Sequence, residues 1–317
     1  MSVSRLITFL AVIISLSSNA QTRIRVPVLD YSPMDEFAIK LSAQNIDNAD
    51  TLSARIMREY DKPHFRLRVA FRWIAENIQY DVHSKKPAAS AQEVFRLRKA
   101  NAEGYCNLLN ALCAKMKIQS ETVPGFLRKG LLPGKSLKKM NHCWNTVKLY
   151  NKWYLMDVTL ASGFTERKGR VFTKRFNDMY YALHPRQIIL THLPMNSSRQ
   201  YLDTLVDRKT FFNFPEVYDA FFENGLYALT PADGIVELKN GQLKKFYYKT
   251  MDSLQVGKIE ITEGKKSERI PVTFRQSDNV IQFDYLNSSG RKKSINIFLD
   301  GSLIATYLIV PEKKKKR

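Results

Sequence analysis

Cys106, His142 and Asp157 are, in that order along the chain, the side-chain types a thiol acyl-transfer site needs. A thiolate attacks a carbonyl, an imidazole takes up and returns the proton, and a carboxylate orients the imidazole. Cys106 follows Gly104-Tyr105, where Gly104 is expected to break the chain and a helix to run from about Tyr105 to Lys117. Helix N-termini carry partial positive charge and free N–H groups, so this placement predicts a lowered thiol pKa and a nearby donor for an oxyanion. The competing reading is a small buried hydrophobe, as most free cysteines are.

A predicted hairpin supplies the other two groups. His142–Leu149 and Lys152–Thr159 read as strands, and a two-residue turn at Tyr150-Asn151 sets Leu149 opposite Lys152. Alternation then points His142, Trp144, Asp157 and Thr159 to one face, with His142 and Asp157 as diagonal neighbours. An Asp that merely ends a strand, and a His that only stacks on Trp144, is the reading against it.

The elements that must hold these groups are legible around them. Residues 21–36 look extended. Pro63 opens a helix with Leu67, Phe71, Ile74 and Ile78 at helical spacing, ending near Tyr80-Asp81. Ser90-Ala91-Gln92-Glu93 has the capping-box form. Glu121–Leu127 reads as a strand carrying a Pro-Gly, and Arg128–Asn141 as a basic loop. From about Phe211 short β-rich segments follow at Gly234–Leu238, Leu243–Thr250, Lys258–Thr262, Ile270–Phe274, Val280–Tyr285 and Ser294–Leu299, the pattern of a small sandwich.

Gly104-Tyr105-Cys106-Asn107-Leu108-Leu109, Val123-Pro124-Gly125-Phe126, His142-Cys143-Trp144-Asn145 and Trp153-Tyr154-Leu155-Met156-Asp157-Val158-Thr159 resemble the transglutaminase-like superfamily. The nearest branch looks like the kyphoscoliosis-peptidase-like proteins. Trp73–Asp81 looks like the helix preceding that core, and Leu183–Pro194 like a segment following it. The resemblance covers roughly residues 65–200. It implies an α+β fold: a papain/transglutaminase-like core of helices on an antiparallel sheet, followed here by the small all-β sandwich-like domain. It implies Cys106 as nucleophile, His142 as general base and acid, and Asp157 as the orienting acid, with acyl transfer through a thioester to water or an amine. The backbone N–H of Cys106 is the first expected oxyanion donor. Tyr80 and Trp73 are the side-chain candidates, with core packing as the alternative for both, and Trp144 supports the site.

The remaining features bound the function. Cys113 lies two helical turns from Cys106, too far for a disulfide. Cys143 alternates away from His142, so Cys113 and Cys143 are read as buried thiols. The five histidines show no paired metal-ligand spacing, and His184 and His192 are expected to cap or pack. No metal or cofactor is expected. The 317 residues allow two domains, and 44% apolar with 25% charged residues excludes wholesale disorder. A formal charge of +20 favours anionic surroundings, such as an acidic protein or peptide substrate or an anionic cell-surface polymer. Part of that charge flanks the triad, at Lys135, Lys138, Lys139, Arg167, Lys168, Arg170, Lys174 and Arg175. No nucleic-acid recognition element is visible.

Arg5, the apolar run Leu6–Leu16 and Ser18-Asn19-Ala20 read as a signal peptide, giving an exported (periplasmic or secreted) chain cleaved near Ala20, with no transmembrane segment. The expected divisions are 1–20 signal, 21–60 N-terminal extension, 61–208 catalytic core, 209–310 β-rich domain and 311–317 basic tail. The functional expectation is a cysteine peptidase or amide hydrolase. The alternatives are a non-catalytic scaffold for protein or glycan binding and an amine-accepting cross-linker.

Overall fold

Side-chain caps decide where the helices begin. The computed structural model describes residues 30–84, 89–166, 169–251, 254–264 and 266–312. The expected signal peptide and most of the basic tail lie outside them. Helix α1 (Ser32–Ser42) has Pro33 in its first turn and buries Met34, Ala38 and Leu41, so residues 32–36 of the expected extended stretch are helical instead. Asn48 accepts from the Thr51 N–H to start α2 (Ala49–Glu59), and Pro63 opens α3 (Pro63–Asn77). α3 stops earlier than its periodicity suggests because Gln79 and Tyr80 pair in parallel with Lys99 and Ala100. Both capping-box bonds between Ser90 and Glu93 form at α4 (Ala91–Leu97).

Helix α5 (Ala102–Lys115) starts at Asn101, whose side chain accepts from the Gly104 N–H. Gly104 therefore lies inside the helix instead of breaking the chain. A β-carbon there would sit 2.8 Å from that of Ala100, so the glycine lets two backbones approach.

The sheet under α5 is antiparallel. Strand β1 (Gln119–Leu127) is followed by β2 (His142–Leu149), β3 (Lys152–Met156) and β4 (His192–Pro194), in spatial order β3-β2-β1-β4. Leu149 pairs with Lys152 across Tyr150-Asn151, whose positive φ values (49° and 62°) are those of a tight hairpin turn. Met156 ends β3. Asp157 then caps α6 (Val158–Ser162) by accepting from the Leu160 N–H, which puts Thr159 in a helix and not in the expected strand.

After two short helices that precede the first expected strand, Arg208–Asn213 and Asp219–Glu223, the chain builds two further sheets. One orders Leu226–Thr230, Leu243–Thr250, Val280–Leu286 and Phe274–Ser277. The other orders Ile235–Glu237, Ser302–Val310, Lys293–Leu299, Ile259–Glu263 and Ile270–Val272. The expected strand Ile270–Phe274 is thus divided between them. Phe246, Tyr248, Phe283, Ile295, Ile297 and Tyr307 belong to one buried cluster shared by these sheets. Phe126 and Leu193 join that cluster from the sheet carrying the candidate site, and Ile189 and Leu190 from the turn just before β4; the described residues from Tyr31 onward fall in one compact unit. Among the described residues no helix is long and apolar enough to cross a membrane.

Candidate active site

His142 opens β2 and is held from both sides. Just before it, Asn141 closes the basic loop on Leu127, accepting from its N–H at 2.8 Å and donating to its carbonyl at 3.0 Å. The imidazole stacks on Trp144, with ring centroids 6.4 Å apart and planes inclined by 26°. Its Nε2 lies 2.6 Å from Oδ2 of Asp157, the contact that hairpin parity predicts. Nδ1 is then the nitrogen left to exchange a proton with a thiol. Asp157 is fully buried. Burial alone would push its carboxyl up, but the His142 and His192 imidazoles outweigh it and hold the group well below the usual carboxylate range.

Cys106 is placed differently from the expectation. It is the fifth residue of α5, one turn inside the helix, so its N–H takes part in the helix's own i→i−4 ladder. The free N–H groups of a helix belong to its first turn, which makes the Cys106 N–H a poor oxyanion donor. Its thiol is buried and contacts the Cys143 thiol at 3.5 Å. Cys143 thus faces α5, on the side its neighbour Asn145 also uses to reach the Cys106 carbonyl at 3.2 Å. Among the described residues no hydrogen bond joins Cys106 to His142. The thiol pKa is raised, not lowered: burial comes first, then the Cys143 contact and the negative charge of Asp157. Cys113, fully buried, is pushed up to about 12 by burial, and all three cysteines are free.

The side-chain candidates separate cleanly. Tyr80 lines a cleft of about 430 Å³ together with His142, Leu127, Asn141, Phe164 and Phe172. Burial, then the charge of Asp157, raises its pKa, so the phenol keeps its proton and can donate. Trp73 lies elsewhere, stacked on Phe95 at 5.1 Å beneath the Arg98 guanidinium. Trp144 is the floor under His142. Next to Cys106, Tyr105 donates to the Ile78 carbonyl at 2.7 Å and fixes the start of α5 against the end of α3.

His184 caps a short helix by accepting from the Arg186 N–H, in line with expectation. His192 does more than pack. Its Nε2 lies 3.1 Å from the same Asp157 Oδ2 that His142 uses, and its ring meets Trp144 edge-on at 5.0 Å. Its location depends on β4 pairing with β1, with Leu127 opposite His192, a contact that no local spacing encodes. The ligand atoms of His142, Asp157 and His192 lie within 4.8 Å of one another, so these are the residues that could hold a metal ion. Their contacts of 2.6 and 3.1 Å on one oxygen already satisfy them as hydrogen bonds.

Residues 50–158 match the family model described as Transglutaminase-like superfamily. The chain is 27% identical over 218 residues to the human kyphoscoliosis peptidase, covering 67% of this chain and 33% of that one. It is 28% identical over 197 residues to the mouse kyphoscoliosis peptidase, covering 60% and 30%. To cytokinesis protein 3 of Saccharomyces cerevisiae it is 27% identical over 122 residues, covering 38% and 14%. The matched region spans about a third of the length of the two peptidases. Cys106, His142 and Asp157 all fall within the segment, residues 50–158, that matches the transglutaminase-like family model.

Proposed function

We propose that this chain is an exported thiol enzyme that hydrolyses protein or peptide amides through Cys106, His142 and Asp157. The observation that carries the reading is the 2.6 Å contact between His142 and a fully buried Asp157. It sits beside the helix that bears Cys106 and leaves Nδ1 as the imidazole nitrogen for the thiol. Attack requires the Cys106–Cys143 contact to be exchanged for a Cys106–His142 contact, so that the thiol proton passes to Nδ1. The thiolate then adds to the amide carbonyl. The amine leaves with the proton from His142, and the resulting thioester is hydrolysed by water that His142 deprotonates. Tyr80 is the candidate donor to the oxyanion. The catalytic core is assigned to residues 61–208 and the β-rich domain to 209–310, with the basic loop around Lys135, Lys138 and Lys139 drawing acidic substrates toward the cleft.

Digestion of a peptide library by wild type and by Cys106→Ala, read by mass spectrometry, tests this. Cleavage by wild type alone supports it, and identical product profiles overturn it. A second reading, a non-catalytic scaffold that binds protein or a cell-surface polymer, draws on the buried, protonated Cys106 thiol. It predicts that Cys106→Ala leaves binding intact and that wild type cleaves nothing. If labelled amines are incorporated into the peptides instead, the acyl acceptor is an amine and the enzyme is a cross-linker.

A further inference from the structure

We propose that His192 is a positioning residue for His142, acting through the Asp157 oxygen that the two imidazoles share. This deepens the thiol-enzyme reading and rests on it only for the effect on Cys106; the contacts among His142, Asp157 and His192 are read from their distances.

The direction of each hydrogen bond follows from the chemistry of the groups. Asp157 is held ionised, so its Oδ2 can only accept. It faces Nε2 of His142 at 2.6 Å and Nε2 of His192 at 3.1 Å, and its other oxygen accepts from the Leu160 N–H at 2.9 Å. Both imidazoles must therefore carry a proton on Nε2. His192 is fully buried and, with burial lowering its basicity against the pull of Asp157, stays neutral. A neutral ring with its proton on Nε2 has a lone pair on Nδ1, and the Thr191 hydroxyl lies 2.8 Å from that atom. The hydroxyl's other contact, to the Ile188 carbonyl, is longer at 3.3 Å. Thr191 thus fixes the tautomer of His192, and His192 fixes Asp157.

Three donors on one buried carboxylate leave it a single orientation, the one that meets His142. Without His192, Oδ2 loses its second donor and the wall that keeps the carboxylate turned toward His142. His142 can then carry its proton on Nδ1, the atom that must be vacant to accept the thiol proton. The edge-on contact of Trp144 with His192, together with its stack under His142, keeps the two rings from exchanging places.

The experiment uses the full chain labelled with ¹⁵N and reads histidine tautomers from two-bond nitrogen–proton correlations. It also measures the rate at which iodoacetamide alkylates Cys106 at neutral pH. In wild type, His142 and His192 should both show the Nε2–H pattern. In His192→Phe the His142 pattern should become an average of two tautomers, and the Cys106 rate should fall roughly tenfold, toward that of His142→Ala. His192→Gln, which keeps an N–H for Asp157, should restore both readouts. If His192→Phe does not fold, Thr191→Val serves instead, and should weaken the Nε2–H pattern of His192 and spread that of His142. An unchanged His142 pattern in a folded His192→Phe or Thr191→Val protein overturns the proposal. If instead His142→Ala alkylates at the wild-type rate while the tautomer of His142 still responds to His192, the thiol-enzyme reading fails and the positioning role stands.

Discussion

The sulfur of Cys106 lies 3.5 Å from that of Cys143, so the residue next to His142 in sequence is the one that touches the candidate nucleophile. Burial is the first cause of the raised Cys106 pKa, and the Cys143 thiol is the next. Cys143→Ala removes the second cause without adding charge. It should raise the rate of Cys106 alkylation by iodoacetamide at neutral pH by about threefold, the size of one modest hydrogen bond. Mass spectrometry of the labelled peptides reads this directly. A rate equal to wild type would mean that Cys143 is a bystander.

Asp157 ties pH to stability, and the direction can be worked out. Its carboxyl is lowered from the ordinary 3.8 in the folded chain. The stability it supplies is therefore present above the unfolded value and is lost as pH falls toward the folded one. His192 is lowered from 6.5, so its contribution is also present above the unfolded value and is lost below it. Both groups make acid destabilising, His192 starting below about pH 6.5 and Asp157 below about pH 4. Asp157→Ala should cost about 3 kcal/mol at pH 7, because two buried imidazoles lose their acceptor. It should also flatten the decline of the melting temperature below about pH 4. Melting curves from pH 3 to 8 for both proteins check the two effects together, and parallel acid limbs would refute the assignment.

What the sequence revealed here was local, and what it hid was long-range. The Leu149–Lys152 pairing follows from a two-residue turn, and the His142–Asp157 contact follows from that pairing, so both could be counted out along fifteen residues. Ser90 and Glu93 announce α4 because a capping box is written in four consecutive residues. The start of α5 is not legible locally, because Gly104 looks like a breaker in isolation. Its role is to admit Ala100 at close range, and the cap is Asn101. His192 reaches Asp157 only because β4 lies along β1. Cys143 meets Cys106 because α5 lies on the face of β2 that Cys143 and Asn145 share, a docking that alternation alone does not choose.

Gly125 shows how tightly the strands around His142 are packed. A β-carbon there would lie 2.3 Å from the Leu193 carbonyl oxygen on β4 and 2.6 Å from the Trp144 ring. The first contact is with backbone, which cannot swing away. Gly125→Ala should therefore cost about 3 kcal/mol, the upper end for overpacking, and push Trp144 off its stack beneath His142. Urea unfolding measures the first effect, and slower Cys106 alkylation in the folded fraction measures the second. A protein as stable as wild type would show that β4 can move away from β1.

Arg128 joins the site's sheet to the second hydrophobic cluster. It follows the last residue of β1, and its N–H donates to the Thr191 carbonyl at 2.8 Å. Its side chain is fully buried. The guanidinium donates to the Pro215 carbonyl at 2.9 Å and to the neighbouring Phe214 carbonyl. Burial lowers its pKa to about 10, against the pull of Glu216, so at neutral pH a full charge is kept inside by those two carbonyls and that carboxylate. Arg128→Met preserves much of the apolar stem and removes every donor, leaving two buried carbonyls unpaired. It should cost about 3 kcal/mol in urea unfolding. Arg128→Lys can reach one carbonyl but cannot span both with a planar fork, so it should recover only part of the loss. Full recovery with lysine would show that charge alone, and not the paired geometry, holds Phe214-Pro215 to the end of β1.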